Sequence, residues 1–392
     1  MRVLTSLLLL SVIACGDDDT SDAAIPESDV GTQSDTGAVD APTQEDASAA
    51  DVLSPDVSVP TDVGIDASTP LPGVLYVSVG GSSRLAVVDV ASDGTMSERE
   101  GARLELPRGP GAMAFDASRR RFFVGAGSAV LSVDLDEDGV PSLQGMTMLP
   151  AQPVYLSVAG DSLVSAYFGA DLLLTHDVSG AAPYAETDSL DVPDEPHAAR
   201  AVGQRVYVPH RSAGRVSWVD VQADGRFGEL DGVDSEGGVG PRHIAFHPGG
   251  MYAYIVNEFA DTVSAYRVEA GALVPFGEAA TTLPSGFDGD DNTGADIHVH
   301  PSGDFLYTSN RGHDSIAILD IADDGSVSHR TTVPTEARPR EFELSEAGHL
   351  LFGLGQDTGA VQSYVVGPDG SLTPAERLVL GEDLRWGIFL SE

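Results

Sequence analysis

Arginine, histidine and glutamate gather in a few short phrases of this sequence, and side chains of those types suit anion binding and proton transfer. Glu195-Pro196-His197, Gly240-Pro241-Arg242-His243, Val256-Asn257-Glu258 and Ser309-Asn310-Arg311-Gly312 carry most of them. His210-Arg211, Asp296-Ile297-His298, Pro339-Arg340 and Gln356 supply the rest. A guanidinium fork matches a carboxylate, a phosphate or a developing oxyanion. A glutamate or an imidazole can take a proton from water or return one to a leaving oxygen. Other chemistries have no foothold: the sequence holds no G-x-S-x-G elbow, no H-E-x-x-H and no cysteine-based nucleophile. His243 and His247 lie four strand residues apart, about 13 Å, too far to share a metal. Asp134-Leu135-Asp136-Glu137-Asp138-Gly139 begins like a calcium loop, but its twelfth position is Gly145 rather than glutamate, so a hairpin turn is expected. The acidic insertion 287–296 is expected to be a surface loop, with calcium binding as the open alternative. No metal and no cofactor is called for.

These residues sit on a repeat. An apolar pair, Asp, an apolar residue, two variable residues and Asp-Gly recur at Asp89–Gly94, Asp134–Gly139, Asp220–Gly225 and Asp320–Gly325. Weaker copies end at Gly180, Gly271 and Gly370. In order, the seven glycines are spaced 45, 41, 45, 46, 54 and 45 residues apart. A period of about 40–50 residues marks a propeller or another array. Asp-Gly between alternating apolar runs is a hairpin signal, because type I′ turns need positive φ. The fifth unit divides into strands over His243–His247, Tyr252–Val256 and Thr262–Val268, with a fourth near Leu273. The sixth copies it at Ile297–His300, Phe305–Ser309 and Ser315–Ile321. No segment keeps a 3.6-residue period, so helical repeats are excluded. The expectation is an all-β, seven-bladed β-propeller over residues 73–392.

The ends of the repeat predict how the ring closes. The first unit starts near Leu75 at a second strand, and Arg385-Trp386-Gly387-Ile388-Phe389-Leu390 looks like a first strand with nothing after it. The C-terminal strand should therefore close the first blade and cover its edge. In such a blade the start of strand a and the end of strand b lie on one face, around one mouth. That placement collects His197, Arg211, Arg242, His243, Glu258, His298, Arg311, Arg340 and Gln356 from blades four to seven. Blades one to three bring mainly glycine and apolar residues there. His247 and His300, at the other end of strand a, are expected to be structural.

Composition limits the partners. There are 61 acidic against 21 basic residues, a net charge of −40, and every basic residue is arginine. That excludes a Schiff-base lysine and repels phosphate backbones, so no nucleic acid is expected as partner. The single cysteine excludes a disulfide framework. It stands at Cys15, after Met1-Arg2 and an apolar run from Val3 to Ile13, where a secretory signal would end. Residues 1–15 resemble a bacterial lipoprotein signal and lipobox, which implies acylation of Cys15 and a lipid membrane as partner. Residues 16–72 are Asp-, Ala-, Ser- and Pro-rich, with 14 acidic side chains from Asp17 to Pro72 and no basic or aromatic ones. Such a segment is expected to be a disordered acidic tether. The protein is expected to be a monomeric exported lipoprotein of the cell envelope.

The phrases GPRHIAFHPGGMYAYIVNE, ADIHVHPSGDFLYTSNRGHDSIAILDI and PHAARAVGQRVYVP resemble the lactonase family of seven-bladed propellers. That family includes the propeller-type 6-phosphogluconolactonases and the fungal carboxymuconate cyclase. The resemblance covers residues 73–392 and is strongest over 196–370. It implies that His197, Arg242, Glu258 and Arg311 are the active residues; the blade positions around the mouth add His243, His298, Arg211, Arg340 and Gln356 beside the substrate. In that scheme Glu258 activates water, Arg242 and Arg311 hold the anion, and His197 delivers the proton to a small-molecule lactone. Glu258→Gln and Arg311→Ala would then remove activity while leaving melting nearly unchanged. Two positions depart from the family: His210-Arg211 replaces an acidic residue, and Glu341 replaces an asparagine. The alternative, from another class, is a non-catalytic propeller that binds a ligand or protein at its mouth.

Overall fold

The computed structural model describes residues 71–287 and 291–391. The expected signal, Cys15 and all but the last two residues of the tether lie outside the described residues, as does part of the acidic insertion. Gly73–Ser391 forms seven antiparallel sheets in the sequential order a-b-c-d, six of four strands and the first of five, because Met96–Glu98 and Leu104–Glu105 both pair with its strand c, Arg84–Val90. In blade 1 strand a is Leu384–Ser391, from the C-terminus, and strand b is Gly73–Val79 from the beginning of the domain. Their register runs from Gly73 opposite Ser391 to Val79 opposite Leu384. The predicted closure is borne out. Inner strands of consecutive blades contact one another around a closed ring, except that the inner strand of blade 5 meets blade 4 through that blade's second strand, Arg205–His210.

The core is divided among the blades. Seven apolar clusters are present among the described residues, and each fills the wedge between two adjacent blades. Tyr254, Val256, Ile297 and Leu306, for example, join blades 5 and 6. A strand buried on both faces needs an almost unbroken apolar run, which is what Gly73–Val79 and Tyr252–Asn257 provide.

The recurring Asp-Gly phrase does more than turn the chain. Tyr76 donates its hydroxyl to the Gly139 carbonyl (2.7 Å), Tyr207 to Gly271 (2.9 Å), Tyr254 to Gly325 (3.1 Å) and Tyr307 to Gly370 (3.0 Å). Thr175 does the same to Gly225 and Ser363 to Gly94. Each donor belongs to the preceding blade, so the hairpin turn is also a latch between blades. At Gly180, in the third blade, the hydroxyl bond is a different one: Ser132 of the preceding blade donates to Tyr184 beside that turn. His247 and His300 latch the neighbouring turns. Their Nδ1 atoms accept from Gly249 and Ser302, and their Nε2 atoms donate to Gly303 and Gly348 at 3.2 Å. Asp136 likewise accepts from Asp138 and Val140 of its own turn, as a hairpin requires.

One feature differs from the strands read off the sequence. Strand a starts earlier than expected in blades 5 and 6, at Pro241 and Thr293, and each carries a bulge near its start. Blade 7 has the same bulge between Pro339 and Glu341. A bulge sets two residues against one and re-aims a side chain. Arg242 and His243 would otherwise alternate across the sheet, yet both serve the same end of the channel.

Candidate active site

Glu258 is the centre of the mouth. It follows Asn257 at the end of strand b in blade 5, where the Asn257 amide donates to Thr262 and Ser264 and fixes the turn. Its backbone N–H donates to Gly240. The carboxylate meets three guanidiniums from three blades. Arg311 Nη2 lies 2.7 Å and Arg211 Nη1 3.2 Å from Oε1, and Arg242 Nε lies 3.4 Å from Oε2. Glu258 is 4 % and Arg242 1 % exposed. Arg242 also donates to the Ala295 carbonyl at 2.5 Å. Arg311 leaves its strand through Gly312, where φ is +115° and a Cβ would stand 2.1 Å from the Asp291 carbonyl oxygen. Asn310 pins that corner by donating to Thr282 and Ser315.

The electrostatics are lopsided. Burial alone would raise the Glu258 pKa, but Arg242, Arg311 and Arg211 reverse this and hold it at about 2. Arg242 moves the other way: burial, then Arg311 and Arg340, bring it down to about 9 despite Glu258. A stabilised carboxylate beside a destabilised guanidinium means that the cluster is short of negative charge. The chain carries −40 elsewhere, so this local excess is a built feature.

Histidines stand beside the arginines. His197 takes its place where Pro196 bridges His210 and its own N–H donates to Pro209. Its ring touches Phe168 and His243, with centroids 5.6 and 5.3 Å away. Burial, then Arg242, His243, Arg340 and Arg311, hold its pKa well below the usual histidine value. His243 Nδ1 lies 2.8 Å from Asp296 Oδ1. Burial and Arg242 keep His243 neutral, with a pKa of about 4. Asp296 also accepts from the backbone N–H of Ile297 and Phe342 and from His298 Nε2 at 3.2 Å. Its contacts with His298 and His243 overcome burial and keep it ionised.

The structure therefore brings together His197, Arg211, Arg242, His243, Glu258 and Arg311. Arg340 couples electrostatically to His197, Arg242 and His243 from blade 7. Two residues expected at the mouth stand elsewhere. His298 lies one pleat deeper and meets the cluster only through Asp296, because residues i and i+2 of a strand share a face but not a level. Gln356 turns to the rim between blades 7 and 1, where its amide donates to Asp383, the partner of Arg385. The ion cluster bears on the role expected of Glu258. A carboxylate whose pKa is held at about 2 by three cationic partners is a weaker base than that role asks for.

Sequence reasoning gave no role to Asp296, although it noted its position, and it undervalued blades 1 to 3. Those blades supply an aromatic wall. Trp386 of blade 1 packs on Tyr155 of blade 3 (5.4 Å) and reaches His243 of blade 5 (6.2 Å), across the channel. Arg211 is stacked between Phe168 and Phe259, at 4.6 and 5.1 Å. Glu341, on blade 7, is buried, and burial with Asp296 and Glu343 nearby raises its pKa well above the carboxylate range. It adds no negative charge to the mouth.

Buried polar atoms without partners concentrate here. His197 Nδ1, His243 Nε2, Arg242 Nε, Glu258 Oε2 and Arg311 Nε are all buried and make no hydrogen bond. Unmet donors and acceptors in one place are costly unless a ligand or ordered water completes them.

A family model described as "Lactonase, 7-bladed beta-propeller" matches residues 107–383. The 6-phosphogluconolactonase of Pectobacterium atrosepticum is 30% identical over 331 residues, covering 80% of this chain and 97% of that protein. The 6-phosphogluconolactonase of Serratia proteamaculans is 29% identical and covers 81% and 99%. Among solved structures, a Lactobacillus plantarum protein superimposes with a TM-score of 0.75 at 20% identity, covering 82% of this chain and all of its own (100%). The periplasmic gluconolactonase of Pseudomonas aeruginosa gives a TM-score of 0.73 at 20% identity and covers 82% and 99%.

Proposed function

The chain belongs to the lactonase family of seven-bladed β-propellers, and we propose that it hydrolyses a lactone that carries a negative charge. The observation that carries this reading is the surplus of buried guanidinium around Glu258, in which Arg311 Nε makes no hydrogen bond and Arg242 Nε reaches Glu258 only as a long ion pair. A carboxylate or phosphate on the substrate would complete that cluster. Arg242 and Arg311 hold this group or the oxyanion that forms when water adds to the carbonyl carbon. Glu258 keeps the guanidiniums in place. His197 is the proton carrier: it takes a proton from the attacking water and returns it to the ring oxygen as the C–O bond breaks. Its depressed pKa keeps it neutral and ready to accept.

Purified protein assayed on paired lactones, one neutral and one anionic, tests this directly. The anionic substrate should be turned over faster at low concentration. Arg340→Met should raise its KM by about 10- to 100-fold, the equivalent of about 1.5–3 kcal/mol for a hydrogen bond to a charged group. The neutral lactone should be affected far less. No turnover of any lactone, with saturable binding of the same anions, would leave a non-catalytic binding propeller in its place.

We also place the protein in the cell envelope, tethered through an acylated Cys15 and a spacer over residues 16–72. The Pseudomonas neighbour is described as periplasmic, which agrees with an exported lactonase. An exported enzyme would act on lactones outside the cytoplasm. Cys15→Ser should move the protein from the membrane to the soluble fraction after cell lysis. Retention in the membrane fraction would overturn the anchor.

A further inference from the structure

The mouth does not end at Glu258. The turn that carries Glu258 continues into Phe259 and Asp261, and these form one wall of a groove of about 1060 Å³ between blades 5 and 6. Thr281 and Ser285 line it from blade 5, and Thr331 and Thr332 from blade 6. It is as large as the biggest small-molecule sites, which run to about 1,000 Å³.

Mouth and groove share residues. Phe259 stacks on Arg211 of the mouth at 5.1 Å and is still 49 % exposed. Its ring rests on Gly240, where a Cβ would stand 2.6 Å away, and its backbone N–H donates to Val239. Asp261 is buried and accepts from the Asn292 amide at 2.7 Å, and Arg311 of the mouth acts on its carboxyl. Asn292 in turn accepts from the His313 N–H, and the His313 ring meets Phe287 edge-on at 4.7 Å. The protein's own bonds hold the groove open beside the arginines.

The lining decides what the groove can take. Its cation, Arg330, is tied to Asp320 and to the Asp369 carbonyl and lies over Phe305. Its carboxylate, Asp261, is the one held by Asn292. Neither charge is left for a ligand. What remains is the exposed ring of Phe259, the Thr and Ser hydroxyls, and His329, whose Nε2 is buried and makes no hydrogen bond. Burial lowers the His329 pKa, so that ring is neutral. Hydroxyls and a neutral imidazole exchange hydrogen bonds with hydroxyls, and an aromatic face packs on C–H edges. A neutral sugar offers both.

We propose that the groove is a second subsite for the same substrate, and that the lactone held at the mouth carries a neutral glycosyl extension lying in it. The proposal rests on the lactonase reading for the reacting end. The anionic group meets Arg242 and Arg311, and the extension crosses Phe259 into the groove. The substrate class is then the lactone of a glycosylated sugar acid, not that of a single sugar.

Calorimetric titration of the full-length protein with sugar acids tests this without needing turnover. Lactobionate and maltobionate are gluconates bearing a hexosyl group, joined with opposite anomeric configuration. The better of the two should bind at least about 10-fold more tightly than gluconate, the worth of one or two net hydrogen bonds. Ser285→Trp fills the groove from an exposed position and should abolish that preference, with gluconate affinity kept within about two-fold. Phe259→Ala, which widens the groove instead, should also reduce the ratio of the two affinities. Equal binding of gluconate and both glycosylated acids would overturn the proposal, as would a preference that survives both variants. A gain of octyl glucuronide over glucuronate that Ser285→Trp removes, with no gain for the glycosylated acids, would assign an apolar tail and overturn the sugar. A protein that prefers the glycosylated acids yet opens none of their lactones would refute the hydrolase reading and leave the sugar subsite standing.

Discussion

Glu258→Gln is expected to abolish lactone hydrolysis and to destabilise the domain by about 3–5 kcal/mol, the range for removing one member of a buried ion cluster. Sequence reasoning alone predicted lost activity with nearly unchanged melting. The ion cluster argues against the second half of that expectation. Arg211, Arg242 and Arg311 converge on this one carboxylate from blades 4, 5 and 6. Glutamine keeps the volume and removes the charge, so buried guanidiniums from three blades are left facing one another. For a domain of this size the melting temperature should fall by on the order of 10 °C. The pH dependence has a definite sign. The Glu258 pKa is depressed to about 2 in the folded protein, against about 4.3 in an unfolded chain. Its contribution is therefore fully present above pH ~4.3 and is lost as the pH falls through ~2. Glu258→Gln never has that contribution, so its melting temperature should fall less steeply than the wild type's across this window. Thermal melts of both proteins from pH 2 to 7 check this. Equal melting temperatures at pH 7 would mean that the clamp contributes nothing.

An anionic ligand should act in the opposite sense. It adds the missing negative charge to a cluster whose Arg242 is held near a pKa of 9 by its own neighbours. Binding to the folded state alone raises stability by mass action. The increment should be largest in Glu258→Gln if the ligand can reach the three arginines there. Function and stability are thus linked at a single carboxylate, which is why the mouth tolerates so much like charge.

The fold was legible because the repeat is written in residues with strong local preferences. Asp-Gly fixes a turn, β-branched and aromatic runs fill strands, and the seven copies set the number of blades. The latches were hidden. Tyr76, Tyr207, Tyr254 and Tyr307 read as strand residues, and nothing in their local sequence shows that their hydroxyls cross to the next blade's glycine. The site was legible as a set of positions and much less so as chemistry. Arg242, Glu258 and Arg311 were found because turn geometry sends them to one face. The base strength of Glu258 depends on how many cations share it, which is a property of three blades at once. The value of Asp296 likewise lies in its contact with His243, 53 residues away in sequence. Trp386 was read as part of a closing strand, and its second task, walling the channel against Tyr155 and His243, depends on the ring being complete.

That dependence makes the closing strand the most sensitive element of the domain. A chain ending at Asp383 should fail to fold, with no cooperative melting transition and recovery mainly as aggregate. Strand a of blade 1 supplies Leu384 and Phe389 to the wedge between blades 7 and 1, and Trp386, Ile388 and Leu390 pack on the wedge between blades 1 and 2. Burying side chains of this size contributes about 1.5–3 kcal/mol each. The ladder from Gly73–Ser391 to Val79–Leu384 adds backbone hydrogen bonds worth about 0.5–1.5 kcal/mol each. Their sum is comparable to the roughly 5–15 kcal/mol that holds a typical domain folded. Truncation also leaves Gly73–Val79, buried throughout, as an exposed apolar edge that invites pairing with other chains. A substitution within the strand should be far milder: Leu390→Ala leaves the ladder intact and removes one partly buried side chain. If the truncated chain melted cooperatively within a few degrees of the intact one, the seam would not be where the ring is held. Blade 1 would then be held by the contacts its remaining strands make with blades 7 and 2, and the mouth, which depends on Trp386 for one wall, would be lost without loss of the fold.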